Sequence, residues 1–325
     1  MEKSRRPLAD TGQTARSPLE IPRAGWKQVL LRLYYTSEEN HTSLVASGIA
    51  FYSLLGLFPA IAALISIWGL VSDPAQVEQQ FALLNEFIPA DAANMITAQA
   101  RSVSASAGAG MSLTAIFGLL LTLYSASKGV KTFMEGLNII YGEKEDRSII
   151  KRTLLNLGLT LGMILMVIVT LFCVAILPIL FSFLPFAGFF AYALYYVRWL
   201  LLLGMITLAI AVLYRFAPNR KAARWEWLSI GTIVATVLWI ASSIGFSIYV
   251  SNFGSYNETY GSIGAVIVVL MWFWLSAYIV LLGAGLNCEL ERQTSRDSTV
   301  GPAKPLGRRG AYAADSVAGD ESQPS

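Results

Sequence analysis

Charge is scarce in this sequence. Asp, Glu, Lys and Arg make up 14% of 325 residues, against 55% apolar residues. Soluble domains run near one quarter charged, so this scarcity excludes one large or two small water-soluble domains. Histidine is almost missing: His41 is the only one, and no HExxH run or other His/Asp/Cys cluster occurs. A histidine-built metal site is thereby excluded. No GxxxxGK[ST] run offers a Walker nucleotide site, and no GxSxG elbow marks a serine hydrolase. The two cysteines, Cys173 and Cys288, do not form a disulfide framework and read as small buried hydrophobes. No catalytic residue, metal or cofactor is expected, and the chain is read as no enzyme.

What is present is a set of long runs without charge. They are Thr42–Ser72 (31 residues), Ser102–Ser127 (26), Thr153–Val197 (45), Trp227–Asn257 (31) and Thr259–Cys288 (30), with Trp199–Tyr214 (16) following Arg198. About 20 apolar residues cross a hydrocarbon core of roughly 30 Å. The 45-residue run is too long for one span, and Pro178 and Pro185-Phe-Ala-Gly188 divide it. Six transmembrane helices are predicted, at 44–71, 111–133, 154–180, 192–215, 228–250 and 263–288. The first 40 residues are polar and basic, with no apolar region resembling a cleavable signal peptide.

The basic residues orient this bundle. Twenty-two of the 24 Lys and Arg fall in the N-terminal segment, the 2–3 and 4–5 connections and the tail, whereas only Arg101 and Arg198 fall on the other side. The positive-inside rule places both termini in the cytoplasm. The net charge of +3 therefore reads as attraction to an anionic leaflet and not as nucleic-acid affinity.

Three domains are expected: a disordered N-terminus over 1–25, a six-helix membrane domain over 26–292 and a flexible tail over 293–325, rich in Ser, Gly, Pro and charge. Residues 26–40 read as an amphipathic helix along the cytoplasmic interface. Between the first two spans, Val77, Phe81, Leu84, Phe87 and Ile88 recur at helical spacing, predicting an external amphipathic helical segment.

Two groups of residues are candidates for function. Lys128, Lys131, Glu135 and Asn138 follow i, i+3, i+7 and i+10 at the inner end of the second span. They form either a snorkelling anchor face with a Lys131–Glu135 pair or a cationic pocket for an anionic head group or transported anion. The second group would line or gate a cavity. Gly48 sits among Ala46, Ser47, Ala50 and Ser53, a small-residue face that packs helices closely, and Pro59 interrupts the same span. The competing reading of that span is a broken helix along a substrate path. Arg215 precedes Pro218 and Asn219 at the end of the fourth span, where a membrane anchor is the plainer role. Glu258, Tyr260, Gly261 and Gly264 occupy a polar, glycine-rich outer loop, and Glu289 lies at the cytoplasmic mouth of the last span.

Several of these blocks resemble one family. Ala46–Pro59, Ser127–Tyr141, Arg215-Phe-Ala-Pro-Asn-Arg220, Tyr260-Gly-Ser-Ile-Gly264 and the region around Glu289 are similar to the YihY/BrkB family of bacterial inner-membrane proteins. The resemblance covers roughly residues 26–292 and implies the same six-span topology. The family's names include virulence, serum resistance and an older ribonuclease BN label, which no nuclease site in this sequence supports. Gly285 departs from the resemblance, which leads one to expect an acid there.

The reading is thus a multi-pass protein of the bacterial inner membrane, a transporter or a lipid-handling or envelope-biogenesis factor. The alternative is a non-catalytic envelope scaffold acting through protein partners. Expected partners are membrane lipids, anionic head groups among them, and a second copy or an envelope protein; nucleic acid is not expected.

Overall fold

The computed structural model describes residues 11–71, 113–182, 189–251 and 262–318. Seven α-helices of more than one turn occur among them. They are α1 (Arg23–Glu39), α2 (Thr42–Val71), α3 (Leu113–Ile140), α4 (Ile149–Ser182), α5 (Phe189–Phe216), α6 (Trp225–Ser251) and α7 (Ser262–Glu291). A 3-10 turn at Pro18–Glu20 precedes them, and a single turn, α8 (Tyr312–Asp315), follows. No strand occurs among the described residues beyond one bridge, Ala223 to Thr299. The all-α reading holds, and each of the six predicted spans lies on one of α2 to α7. The external segment between the first two spans lies outside the described residues.

Length and composition explain these helices. At 27 to 34 residues each, α2 to α7 reach about 40–50 Å, more than a hydrocarbon core requires. Within the described residues, Ile149–Thr170, Trp225–Val250 and Val266–Glu291 are long and apolar enough to cross a membrane, and Thr42–Leu57 and Leu200–Phe216 are shorter apolar stretches. The helices outrun the apolar runs because an established helix propagates through charged residues at little cost. What ends them is local. At the end of α3, Gly142 (φ 66°) donates to the Ile139 carbonyl and Glu143 to that of Asn138, a Schellman arrangement. Pro218 follows the end of α5. The corner between α1 and α2 turns on His41 in the left-handed region (φ 48°).

The chain divides into two compact units. One comprises Met1–Ser47, Phe133–Ser247 and Trp274–Ser325; the other comprises Gly48–Thr132 and Ile248–Phe273. In the first unit, α4 and α5 pack side by side, and α6 meets α7 at very close range. A Cβ at Gly231 would overlap the Gly283 carbonyl and the Asn287 amide, and one at Gly283 would overlap Tyr214 Oη and approach Ala235 at 2.7 Å. Only glycine permits that approach. Outward faces of the same unit are greasy: Leu154, Leu161, Leu165, Leu200, Leu208, Ile233, Val237 and Ile244 are all exposed. Thr232 and Thr236, by contrast, are buried and return their hydroxyls to backbone carbonyls four residues earlier. Such apolar-out patterning exceeds what a water-facing surface carries.

In the second unit, α2 and α3 meet at small residues. A Cβ at Gly129 would lie 3.5 Å from Ser53 Oγ, and one at Gly48 would lie 3.9 Å from the Thr132 methyl. The helix α2 runs unbroken through Pro59, from Thr42 to Val71.

Residues 11–15 and 293–318 depart from their compositional reading. Over 293–318 the expected flexible tail instead folds on itself. The buried Arg309 guanidinium donates to the carbonyls of Ser295, Arg296, Lys304 and Ala314, while the Asp315 carboxylate accepts from the amides of Gly307, Arg309 and Gly310. Polar residues order this segment by satisfying one another, a source of order that hydrophobicity does not report. Residues 11–15, expected to be disordered, are tied to it: Gln293 donates to the Thr11 carbonyl, Ser295 to that of Gln13 and Thr294 to that of Ala15.

Candidate functional site

The last turns of α7 place Asn287, Glu289 and Glu291 at alternate positions, all fully buried. On a helix these positions diverge by about 200° per step, so each side chain meets a different neighbour. Glu291 accepts two bonds from Arg220, at 3.0 and 2.6 Å, and a third from Ser298 Oγ at 2.6 Å. The Arg220 guanidinium also lies over the Tyr141 ring, 4.9 Å from its centre. Burial works against the Arg220 charge, but the Glu291 carboxylate outweighs it and raises the arginine's pKa. Burial likewise pushes the Tyr141 phenol well above its ordinary range, with Arg220 pulling the other way.

Glu289 faces α1. It accepts from Arg32 Nε at 2.7 Å, from Arg292 at 2.8 Å and from Thr36 Oγ1 at 3.3 Å. Arg32 continues to Gln293 Oε1 at 2.6 Å. Asn287 faces α6, accepting from the Gly231 amide at 2.8 Å and donating to the Leu228 carbonyl at 3.2 Å. Three neighbouring side chains thus pin α7 to α1, to α6 and to the 217–224 connection.

The end of α3 carries a second part of the same polar cluster. Asn138 is buried, donates to Glu145 at 3.1 Å and accepts the Asn219 amide at 2.7 Å. Arg147 holds Glu145 through two 2.6 Å bonds and reaches the Ala217 carbonyl at 3.0 Å. That arginine keeps the Glu145 carboxyl below the usual carboxylate range. Glu143 is raised instead, because burial outweighs the amide it accepts from Tyr312. Arg215 donates to the Ala223 carbonyl at 2.8 Å, and its guanidinium stacks 4.4 Å from the Trp225 ring.

The sequence-level candidates separate accordingly. Glu289, Asn138 and Arg215 belong to this cluster and all point to internal partners. Lys128 and Lys131 are exposed on α3, with the Lys128 ammonium 5.0 Å from the Tyr124 ring centre. Glu135 is half exposed and pairs with Arg152. Asn138, expected on the face of those three, is buried and serves the loop instead. Gly48 packs near Thr132, Gly264 is buried, and Pro59 lies inside α2. Glu258, Tyr260 and Gly261 lie outside the described residues. Arg220, Tyr141, Asn287 and Glu291 were absent from the candidates. Their one visible signal was an acid–x–acid pair closing a 30-residue uncharged run, with arginine two residues after a proline. Among the described residues no group of three His, Cys, Asp or Glu side chains is placed to hold a metal.

A void of about 10 Å³, the size of one water, lies beside Glu289 and is lined by Thr42, Cys288 and Gly285. The Thr42 hydroxyl is buried there without a hydrogen-bond partner. A Cβ at Gly285 would meet Leu33 Cδ1 at 2.9 Å, so the void sits where a side chain at 285 would compete with α1.

Long helices with greasy outer faces, and a charged end closed by buried ion pairs, define a helical membrane protein. The chain belongs to the virulence factor BrkB family, whose model matches residues 33–306. It is 28% identical over 267 residues to the ribonuclease-like protein YfkH of Bacillus subtilis (strain 168), covering 80% of this chain and 93% of that protein. A UPF0761 membrane protein of Alteromonas mediterranea is 28% identical over 78% of this chain and 84% of its own length. One of Vibrio parahaemolyticus is 29% identical over 83% of each. No solved structure matches the chain.

Proposed function

We propose that this chain is a transporter or lipid-handling protein of a bacterial inner membrane, with both termini in the cytoplasm, in which Lys128 and Lys131 hold an anionic group. One observation carries the reading. Lys128 and Lys131 are both exposed, three residues apart on one helical face at the charged end of α3, with the Lys128 ammonium 5.0 Å from the Tyr124 ring centre. An ammonium beside a tyrosine ring at such a depth suits a phosphate-bearing head group or a small anion. The basic-residue asymmetry supports the orientation. On this reading the chain catalyses no reaction, and its partners are membrane lipids and a second copy or an envelope protein, with no nucleic acid. The name of YfkH contains ribonuclease-like; turnover of RNA by the purified chain, abolished by a point substitution, would overturn the non-enzymatic reading.

Native mass spectrometry of the gently purified protein beside Lys128→Ala/Lys131→Ala tests the assignment. A specific anionic species retained by the wild type and lost by the variant is the expected result. Bulk lipid alone in both returns the lysines to membrane anchors and favours the scaffold. Cysteines placed at positions 5 and 320 should be unreactive to an impermeant thiol reagent in intact spheroplasts and reactive after lysis.

A further inference from the structure

We propose that the outer face of α1 is a docking site for one anionic glycerophospholipid of the adjacent leaflet, with its phosphate at Arg23 and Lys27 and an acyl chain along Trp26, Leu30 and Leu31. The inner face of α1 is fixed: Gly25 and Val29 are buried, and Arg32 and Thr36 bind Glu289 in the last turn of α7. The helix therefore lies at the level where the apolar stretch of α7 ends, which is the depth of lipid head groups. Its outer face is not a water-facing surface. Leu30, Leu31, Tyr34 and Tyr35 are each half exposed or more, and tyrosine with tryptophan marks the interfacial zone of membrane proteins.

An open groove of about 510 Å³ runs along that face, lined by Arg23, Trp26, Lys27, Leu30 and Leu31. Its size falls within the range of small-molecule clefts, roughly 300–1,000 Å³. Arg23 and Lys27 are exposed and one turn apart, so both cations meet at one end of the apolar strip. The first turn of α1 contains no acid, and its N-cap, Pro22, offers no side-chain acceptor. The free amides of that turn add partial positive charge beside the two cations. Among the described residues the nearest acid is Glu20, three positions before Arg23, whose carboxylate accepts the Arg16 amide and offsets at most one of the two positive charges; Glu38 and Glu39 lie about three turns away along α1. Two cations at one end and an apolar trough at the other match the two halves of an anionic lipid, and a zwitterionic head group gains less from the same charges.

This proposal takes from the preceding reading only the leaflet, and separate substitutions test the two. The full chain is reconstituted in phosphatidylcholine vesicles carrying equal amounts of brominated phosphatidylglycerol or brominated phosphatidylcholine. The fluorescence of Trp26 is taken as the wild-type signal minus that of Trp26→Phe. Brominated phosphatidylglycerol should quench Trp26 with a roughly tenfold apparent enrichment over brominated phosphatidylcholine. Arg23→Gln/Lys27→Gln should abolish that preference, and Arg23→Lys/Lys27→Arg should retain it, which separates charge from folding. Lys128→Ala/Lys131→Ala should leave it intact even if that variant fails its own test. Equal quenching by both lipids would overturn the head-group assignment. No quenching by either would mean that protein or water covers the face, and the proposal would fall.

Discussion

At Glu291 a carboxylate with no exposed surface is held by Arg220 and Ser298. Removing one partner of a buried ion pair leaves an uncompensated charge, at a cost of about 3–5 kcal/mol. Arg220→Met alone should therefore destabilise the protein by about that amount, whereas Arg220→Met with Glu291→Leu should cost clearly less, both measured by unfolding in detergent. The neighbouring carboxylates give a pH dependence of known sign. Arg147 holds Glu145 below its ordinary pKa, and at Asp297 the amides of Thr299 and Lys304 outweigh the burial that opposes ionisation. A depressed carboxylate stabilises the folded state at neutral pH, and that share is lost as pH falls through and below the usual carboxylate range. Melting temperature between pH 7 and 3.5 should fall less steeply in Glu145→Gln than in wild type. Glu143 has the opposite sign, since its raised pKa makes ionisation unfavourable in the fold, and Glu143→Gln should not destabilise. Glu289, Asn138 and Arg215 were visible in the sequence as polar groups near membrane ends. Arg32 lies 257 positions from Glu289, and Arg220 lies 71 positions from Glu291; such pairings depend on which helix ends meet, and no local pattern encodes that.

Helices tell a different story. Long uncharged runs announced α2 to α7, because a backbone in hydrocarbon must satisfy its own hydrogen bonds and a helix does so within one segment. Contact faces were less visible. The small-residue run at Ala46–Ser53 stands out in the sequence, yet the tightest approach of one helix to another at a described glycine is between α6 and α7 at Gly231 and Gly283. Neither glycine forms a motif that sets it apart from Gly158, Gly162 or Gly204, around which a Cβ would find open space. Gly283→Val should force α6 and α7 apart and destabilise by about 1–3 kcal/mol or more, while Gly204→Val should be near neutral. Parallel thermal unfolding of the two variants checks this. The end of α3 is a further case: Gly142 combines a positive φ with a Tyr312 ring 2.7 Å from any added Cβ, so Gly142→Ala is disfavoured by both backbone and space.

Within the first unit, residues 11–15 and 293–318 behave as structural parts. Gln293, Thr294 and Ser295 hold residues 11–15, Ser298 completes the Glu291 site, and Tyr312 packs on Gly142. A chain ending after Arg292 loses all of these together. Its melting temperature in detergent should drop by about 5 °C or more, and Arg16 and Arg23 should become sensitive to trypsin. A truncated chain that melts like wild type would show that the tail is an ornament on an already stable unit.

Class and helix count were determined by the sequence alone, because both follow from one-dimensional quantities: how far charge is spaced along the chain and how many residues cross a bilayer. The uneven distribution of Lys and Arg among successive connections is likewise a property of order along the chain. Tertiary structure decided which polar groups are buried together, since charges at residues 32, 145, 220 and 291 become neighbours or strangers only through helix packing. It also decided that the tail has a fold, because Arg309 and Asp315 order it through carbonyls and amides that every sequence possesses and only a particular path brings within reach.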